Sequence, residues 1–351
     1  MSTTATPGRS LAPRAATGVA GLHHVALVSR DLARTADFYG RILGLRALGD
    51  GPAPVAPFGR PGALGEATAR WFGDDAGRPG SLVAAVERPD APAGAPGIGG
   101  THHFALCVED REALLMWKRR FLDEGYAVNG ILDRHYFQSI YVKDPDGQIV
   151  EFATRGPGWT MDEEAAHIGE AHRPPPPEMV NTNRDRARIA AENWPEPARD
   201  IAPRMRLRGL HHVTAIGTSI EGTERFVAGR LGMRRVKRTN NFDDVGSFHW
   251  YWGVGDGPPG TLVTYFDRNP ERERPVRMGA GQLAHYAVAA DPDALEPLRA
   301  ALDAAGLPAS AAAAFGPDAA RFGAVATTDP DGHPVVVASL HGAASYEEGA
   351  R

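Results

Sequence analysis

A single cysteine, Cys107, stands in a chain of 351 residues, so no intrachain disulfide can form and a reducing compartment is expected. Its setting, Phe-Ala-Leu-Cys-Val, reads as a buried strand position rather than a reactive thiol. No apolar run reaches the length of about 18 residues that marks a membrane-spanning helix, so none is expected. Basic residues are not in excess. The 38 Lys and Arg against 43 Asp and Glu leave a net charge of −5, which gives no footprint for nucleic acid and no attraction to an anionic membrane. Residues 1–18 contain arginine and no acid, but they lack the apolar stretch of a secretory signal and are expected to form a disordered tail on a cytoplasmic protein. With 42% hydrophobic and 23% charged residues, the composition is that of a globular chain, long enough for two domains.

What the chain does contain is repetition, the property that most constrains architecture. GLHHV opens residues 21–46 and again 209–234, and the two stretches align without a gap. THHFALCVED at 101–110 is answered by AHYAVAADPD at 284–293, and DPDG occurs at 144–147 and 329–332. The order is A-B-A′-B′. Within a module, Val25–Val28 reads as a strand, and Leu32, Tyr39, Ile42 and Leu43 lie at helical spacing with Gly44 as the stop. Asp-Pro-Asp-Gly is turn chemistry leading into a last strand over 148–153, where Val150 and Phe152 share one face and Glu151 takes the other. This predicts an α+β fold of four βαβββ modules paired into two domains. Residues 19–160 would hold A and B, and 206–345 would hold A′ and B′. Residues 161–205, with the stiff HRPPPPE run and one short helix, would be a linker packed on the surface.

The repeat places a histidine at the same strand start four times: His24, His103, His212 and His285. Only one module ends on a carboxylate, Glu151, since Val336 stands at the matching place in B′. Neutral imidazoles and a carboxylate on one face are what a divalent transition metal selects, and a set of two His and one carboxylate leaves coordination positions open. His103 and Glu151, at the first and last strands of one module, pair first. The third ligand is His24 or His212 on these grounds alone.

The residues LHHVTA (210–215), VKRTNNFDD (236–244) and DRHYFQSIYVKDPDG (133–147), followed by Glu151, resemble the vicinal-oxygen-chelate superfamily. That superfamily includes glyoxalases, bleomycin-resistance proteins and extradiol dioxygenases. The similarity is greatest to the Fe(II) dioxygenases that cleave hydroquinone and chlorohydroquinone rings, with the two halves of the chain in the opposite order. The resemblance covers about residues 19 to 341 and implies two vicinal-oxygen-chelate domains. It also implies Fe(II), with Mn(II) as the alternative, on His103, His212 and Glu151, acting on an aromatic diol with dioxygen.

The same resemblance assigns His102, His211, Thr214, Tyr141 and Arg134 to the surroundings of the metal, with both His102 and His211 beside open positions. His249 stands equally as cavity lining or as a structural residue. Competing readings are a catechol 2,3-cleaving enzyme using His24 within one domain, a metal-free binding protein, and a glyoxalase-type isomerase, which would need a second carboxylate where Val336 stands. A homo-oligomer is compatible with the sequence and not specified by it.

Overall fold

The computed structural model describes residues 17–52, 68–317 and 322–340. The expected tail falls almost wholly outside these residues, as do positions 341–345 of the second expected domain. Each module has the same order of elements. The first runs β1 (Val19–Ser29), α1 (Leu32–Ala36, continued by a wider helical turn over Asp37–Ile42), β2 (Arg46–Pro52), β3 (Thr68–Gly73) and β4 (Leu82–Glu87). The second runs β5 (Gly100–Val108), α2 (Arg111–Asp123), β6 (Val128–Asp133), β7 (Gln138–Lys143) and β8 (Ile149–Thr154). After the linker with α3 (Arg186–Ala191), the third runs β9 (Leu210–Gly217), α4 (Ile220–Val227), β10 (Arg234–Asn241), β11 (Asp244–Gly253) and β12 (Leu262–Asp267). The fourth runs β13 (Leu283–Ala290), α5 (Leu295–Ala304), β14 (Ser310–Phe315), β15 (Phe322–Thr328) and β16 (Pro334–Ser339). The strand-to-helix corners are fixed by caps. Asp31, Asp110 and Ser219 each accept a backbone N–H from the first turn of the following helix, satisfying donors that the helix itself leaves unpaired.

The strands form two curled sheets of eight, in the order β14-β15-β16-β13-β1-β4-β3-β2 and β10-β11-β12-β9-β5-β8-β7-β6. This corrects one expectation. Module A shares its sheet with B′, and B shares its sheet with A′, so neither sequential half builds a sheet alone. The reason lies in the two A-to-B connections. They run side by side and satisfy each other's backbone, with Gly94 N–H on Ala280 O (2.8 Å), Ala95 N–H on Arg277 O (2.9 Å) and Ile98 N–H on Arg274 O (2.9 Å). Each connection thereby carries its half of the chain from one sheet to the other. The linker joins β8 to β9, two strands of the same sheet.

Alternation along the strands divides the apolar residues between layers. Val25, Leu27, Phe104, Leu106, Val150, Phe152, Val213 and Val288 face a core shared by all four modules and closed by Trp117 and Phe121 of α2. The other faces line the insides of the curls. In the first sheet this inside is packed solid with Trp71, Phe315, Phe322 and Val336. Its edge strands meet, with Gly316 N–H donating to Pro52 O at 3.1 Å. A Cβ on Gly51 would lie 1.9 Å from Gly316 O, so only glycine permits that approach. The second sheet stays open and carries the linker along its edge strand β10. His172 bridges Arg238 in parallel, and Asn181 N–H reaches Phe242 O at 2.9 Å. Lys237, fully buried, pairs with Asp162 and Glu163 of the linker. Unpaired edge backbone is thus covered. Among the described residues no helix is long and apolar enough to cross a membrane.

Candidate metal centre

Ala105, in the middle of β5, sets the site. Its neighbours across the sheet are His212 on β9 and Glu151 on β8, and His103 lies two residues back on the same face. Three donors on three adjacent strands therefore converge inside the open curl. His103 Nε2 is 2.8 Å from Glu151 Oε2, His212 Nε2 is 3.2 Å from the same oxygen, and the two nitrogens are 3.2 Å apart. Ligands at about 2.1 Å in mutually perpendicular positions would be separated by about 3 Å, so the three edges match one face of an octahedron. Glu151 is fully buried, and its Oε2 has no hydrogen-bond donor, an orphaned charge that a cation would satisfy. The residues present fit a divalent metal.

The histidine doublets show how the rings are aimed. Each doublet coincides with a shift in strand register, at Leu22/His24, Thr101/His103 and between Leu210 and His212. Such a bulge turns two successive side chains toward one side. In all three, the two Nδ1 atoms meet at 2.8–2.9 Å. His211 Nε2 lies 3.1 Å from Thr154 O, and a carbonyl only accepts. His211 therefore carries its proton on Nε2, and its Nδ1 accepts from His212 Nδ1–H. The bare lone pair of His212 is then Nε2, which faces Glu151. Burial drives His102, His103 and His211 toward the neutral form. His102 and His211 are each lowered to about 3, chiefly by desolvation. His103 is lowered by the same cause, partly offset by Glu151.

A second run of contacts leaves the triad on the carboxylate side. Tyr141 donates to Glu151 Oε1 at 2.8 Å, and Arg134 Nη2 donates to Tyr141 Oη and to Asp243 Oδ2, each at 2.9 Å. Arg134 is set by a tight turn in which its N–H donates to Phe137 O at 2.9 Å and His135 takes a positive φ of 69°. On the imidazole side, Thr214 Oγ1 is 2.9 Å from His103 Nε2 and 2.8 Å from Thr264 Oγ1. Thr264 meets His249 Nε2 at 2.9 Å, and His249 Nδ1 meets Tyr251 Oη at 3.0 Å. The pocket above the triad opens to solvent, and its apolar walls are Phe137, Phe242, Tyr251 and Phe266.

Of the residues expected from the sequence, the structure gathers His103, His212, Glu151, His102, Arg134 and Tyr141 at this pocket, with Thr214 against His103. His211 departs from expectation. It lies behind His212, bonded to Thr154 O and 5.1 Å from the Phe137 ring, and is not part of the pocket wall. The contact of its Nε2 with Thr154 O, which His102 lacks, holds the ring behind the ligand. His249 lines the pocket. His24 lies in the other sheet, its Nε2 2.8 Å from His285 Nε2, against Trp71 and Phe315. Asp243 and Phe242, both within the VKRTNNFDD segment, join the pocket without a chemical signal of their own in the sequence.

Comparison with known proteins agrees with this architecture. Residues 21–152 match the Glyoxalase/Bleomycin resistance protein/Dioxygenase superfamily model. The chain is 35% identical over 112 residues to "Putative ring-cleaving dioxygenase MhqA" of Bacillus subtilis, covering 32% of this chain and 35% of that protein. It is 38% identical over 82 residues to the chlorohydroquinone/hydroquinone 1,2-dioxygenase of Sphingobium indicum, covering 22% and 25%. The matched segments thus span a third or less of this chain and little more of those relatives. A crystal structure described as a putative dioxygenase from Bacillus subtilis superimposes with a TM-score of 0.64 at 18% identity, over 93% of this chain and 86% of that one. The two curled sheets and their βαβββ modules are those of the vicinal-oxygen-chelate fold.

Proposed function

We propose that this chain, built on the vicinal-oxygen-chelate fold, is a non-haem Fe(II)-dependent dioxygenase that cleaves the ring of a hydroquinone-like diol with O2. The observation that carries the reading is the buried face of His103, His212 and Glu151, whose donors lie 2.8–3.2 Å apart beneath a pocket walled by aromatic side chains. The similarity to the named ring-cleaving dioxygenases supports the reaction class.

His103 Nε2, His212 Nε2 and Glu151 Oε2 would hold the metal. The chemistry that bound Fe(II) supplies is ionisation of a coordinated phenol and activation of dioxygen beside it. The remaining work falls to the chain. Phe137, Phe242 and Phe266 confine a planar ring and exclude water. The Arg134 guanidinium favours an anionic substrate oxygen near Tyr141. Tyr141 fixes Glu151 through Oε1 and so leaves Oε2 for ligation. His102, held neutral by burial, turns Nδ1 to His103 Nδ1, which leaves its Nε2–H to donate to a substrate oxygen, while His249 lines the wall with both ring nitrogens engaged by Thr264 and Tyr251. A glyoxalase-type isomerase is disfavoured by the donor set, because Glu151 is the one carboxylate in the described metal-ligating cluster.

The test is anaerobic loading with Fe(II), followed by oxygen uptake with hydroquinone, methylhydroquinone, chlorohydroquinone and catechol. Uptake with the 1,4-diols and incorporation of both oxygen atoms into a ring-opened product are expected. Iron bound at one per chain with no uptake on any of the four would refute the reading.

A further inference from the structure

The linker does more than cover an edge. It passes along β10, held by Arg235 on Gly169 O (2.9 Å), Arg238 on Glu170 O (3.0 Å) and His172 on Asn240 (2.8 Å). It then delivers Arg184 to the pocket rim. The Arg184 side chain is only 7% exposed although it belongs to an interdomain linker. Its Nε donates to Met179 O at 2.8 Å and its Nη1 donates to Asp243 Oδ1 at 2.5 Å. Asp243 has two oxygens and two guanidinium partners, Arg184 on Oδ1 and Arg134 on Oδ2. From Arg134 the contacts continue through Tyr141 to Glu151. Beyond Arg184 the linker docks α3 on the opposite side of the curl, with Lys118 of α2 donating to Ile189 O at 2.7 Å. The linker therefore reaches from one end of the open sheet to the other, and its one guanidinium bonded to the pocket wall lies between.

We propose that Arg184 is a positioning residue for the metal-binding pocket: it anchors Asp243, which holds Arg134 against Tyr141 and thereby fixes the Glu151 carboxylate. Asp243 is 42% exposed and sits at a hairpin corner, so without Arg184 one of its oxygens is free and the carboxylate can rotate toward solvent. Arg134 would then lose its charged partner and keep only the neutral Tyr141 oxygen. Charge-assisted pairs give orientation as well as energy, and the outer partners of a ligating group set its aim. The inference rests on the proposed metal site, and its first readout does not require turnover.

Competition of Co(II) against a chromophoric chelator should show R184Q weakening metal binding by about threefold to tenfold, less than the 10–100-fold typical of a partner that touches a ligand. R184K should recover part of that loss by restoring a cation. D243N and the R184Q/D243N double variant should bind Co(II) alike, because the two residues act in one chain. R235Q loosens the linker without touching the chain of contacts and should leave affinity unchanged. In Fe(II)-loaded protein, R184Q should raise KM for methylhydroquinone more than it lowers kcat. Unaltered Co(II) affinity in R184Q, additive losses in the double variant, or an equal loss in R235Q would each overturn the proposal, as would a wild-type chain without Co(II) affinity. Wild-type protein that binds Co(II) but oxidises no phenol after iron loading would refute the dioxygenase reading alone and leave the Arg184 comparison intact.

Discussion

Tyr141 donates its hydroxyl to Glu151 Oε1 at 2.8 Å while Glu151 Oε2 faces the two imidazoles, so one carboxylate is divided between a phenol and the ligand set. Removing the phenol should release the carboxylate. Tyr141→Phe is expected to lower kcat by about 10²-fold and to weaken metal binding by about tenfold. Steady-state oxygen uptake and metal titration would check both, and an unaltered kcat would remove Tyr141 from the site's chemistry.

Metal content separates the two sheets. His212→Ala should abolish stoichiometric iron, whereas His24→Ala should retain it and lose stability instead, by about 2–4 kcal/mol for emptying a packed interior. Elemental analysis alongside thermal unfolding would show the two effects dissociating. Iron lost from the His24 variant alone would transfer the ligand role to the closed sheet.

Chelation should lower the melting temperature of the wild type and not of Glu151→Gln. A ligand present at about 100 times its dissociation constant stabilises by about 2.7 kcal/mol. Equal melting temperatures with and without chelator, in wild-type protein shown to have carried metal, would contradict a folded-state site.

The DPDG turns should make the metal-free protein less stable as pH rises through the weakly acidic range. Burial pushes Asp329 up to about 7 and Asp144 up to about 6, above the value of about 3.9 expected when unfolded. Between these limits the folded state binds more protons than the unfolded one, so stability is fully present below about pH 4 and is lost as pH rises toward 7. Asp329→Asn should flatten that slope. Its amide oxygen can still accept the backbone N–H groups of Asp331 and His333. Urea denaturation from pH 4.5 to 8 would read the difference, and an unchanged slope would show that Asp329 ionises normally.

Closure of the first sheet depends on Gly51. Gly51→Val should destabilise by about 1–3 kcal/mol or more, because a Cβ there meets Gly316 O at 1.9 Å. Iron binding in the second sheet should survive. Calorimetry with metal analysis would test both parts.

Much of the site was legible in the sequence because strand chemistry is periodic. Glu151 between Val150 and Phe152 had to face away from the core, and the recurrence of His103 and His212 at strand starts marked them as equivalent. The pairing of modules was not legible. Neighbours in sequence usually pair in space, and nothing in residues 88–99 announces that they cross between sheets beside 274–282. His211 was assigned by resemblance alone, and its bond to the Thr154 carbonyl, 57 residues away, has no local signature. Asp243 and Arg184, 59 residues apart, carry no local signature, since an ion pair between a linker and a hairpin corner is set by docking.

The crossed pairing of modules also governs how the chain assembles during synthesis. When the first half has left the ribosome, β1 and β5 each lack the antiparallel neighbour they will later have in β13 and β9. Two half-sheets with bare inner edges must wait for partners encoded more than a hundred residues downstream. Chain order lets the β5–β9 seam close before β13 is available to β1. Until those strands emerge the bare edges are open to edge-to-edge aggregation, and the linker, emerging just before β9, shortens the search for the seam on which the candidate metal ligands meet.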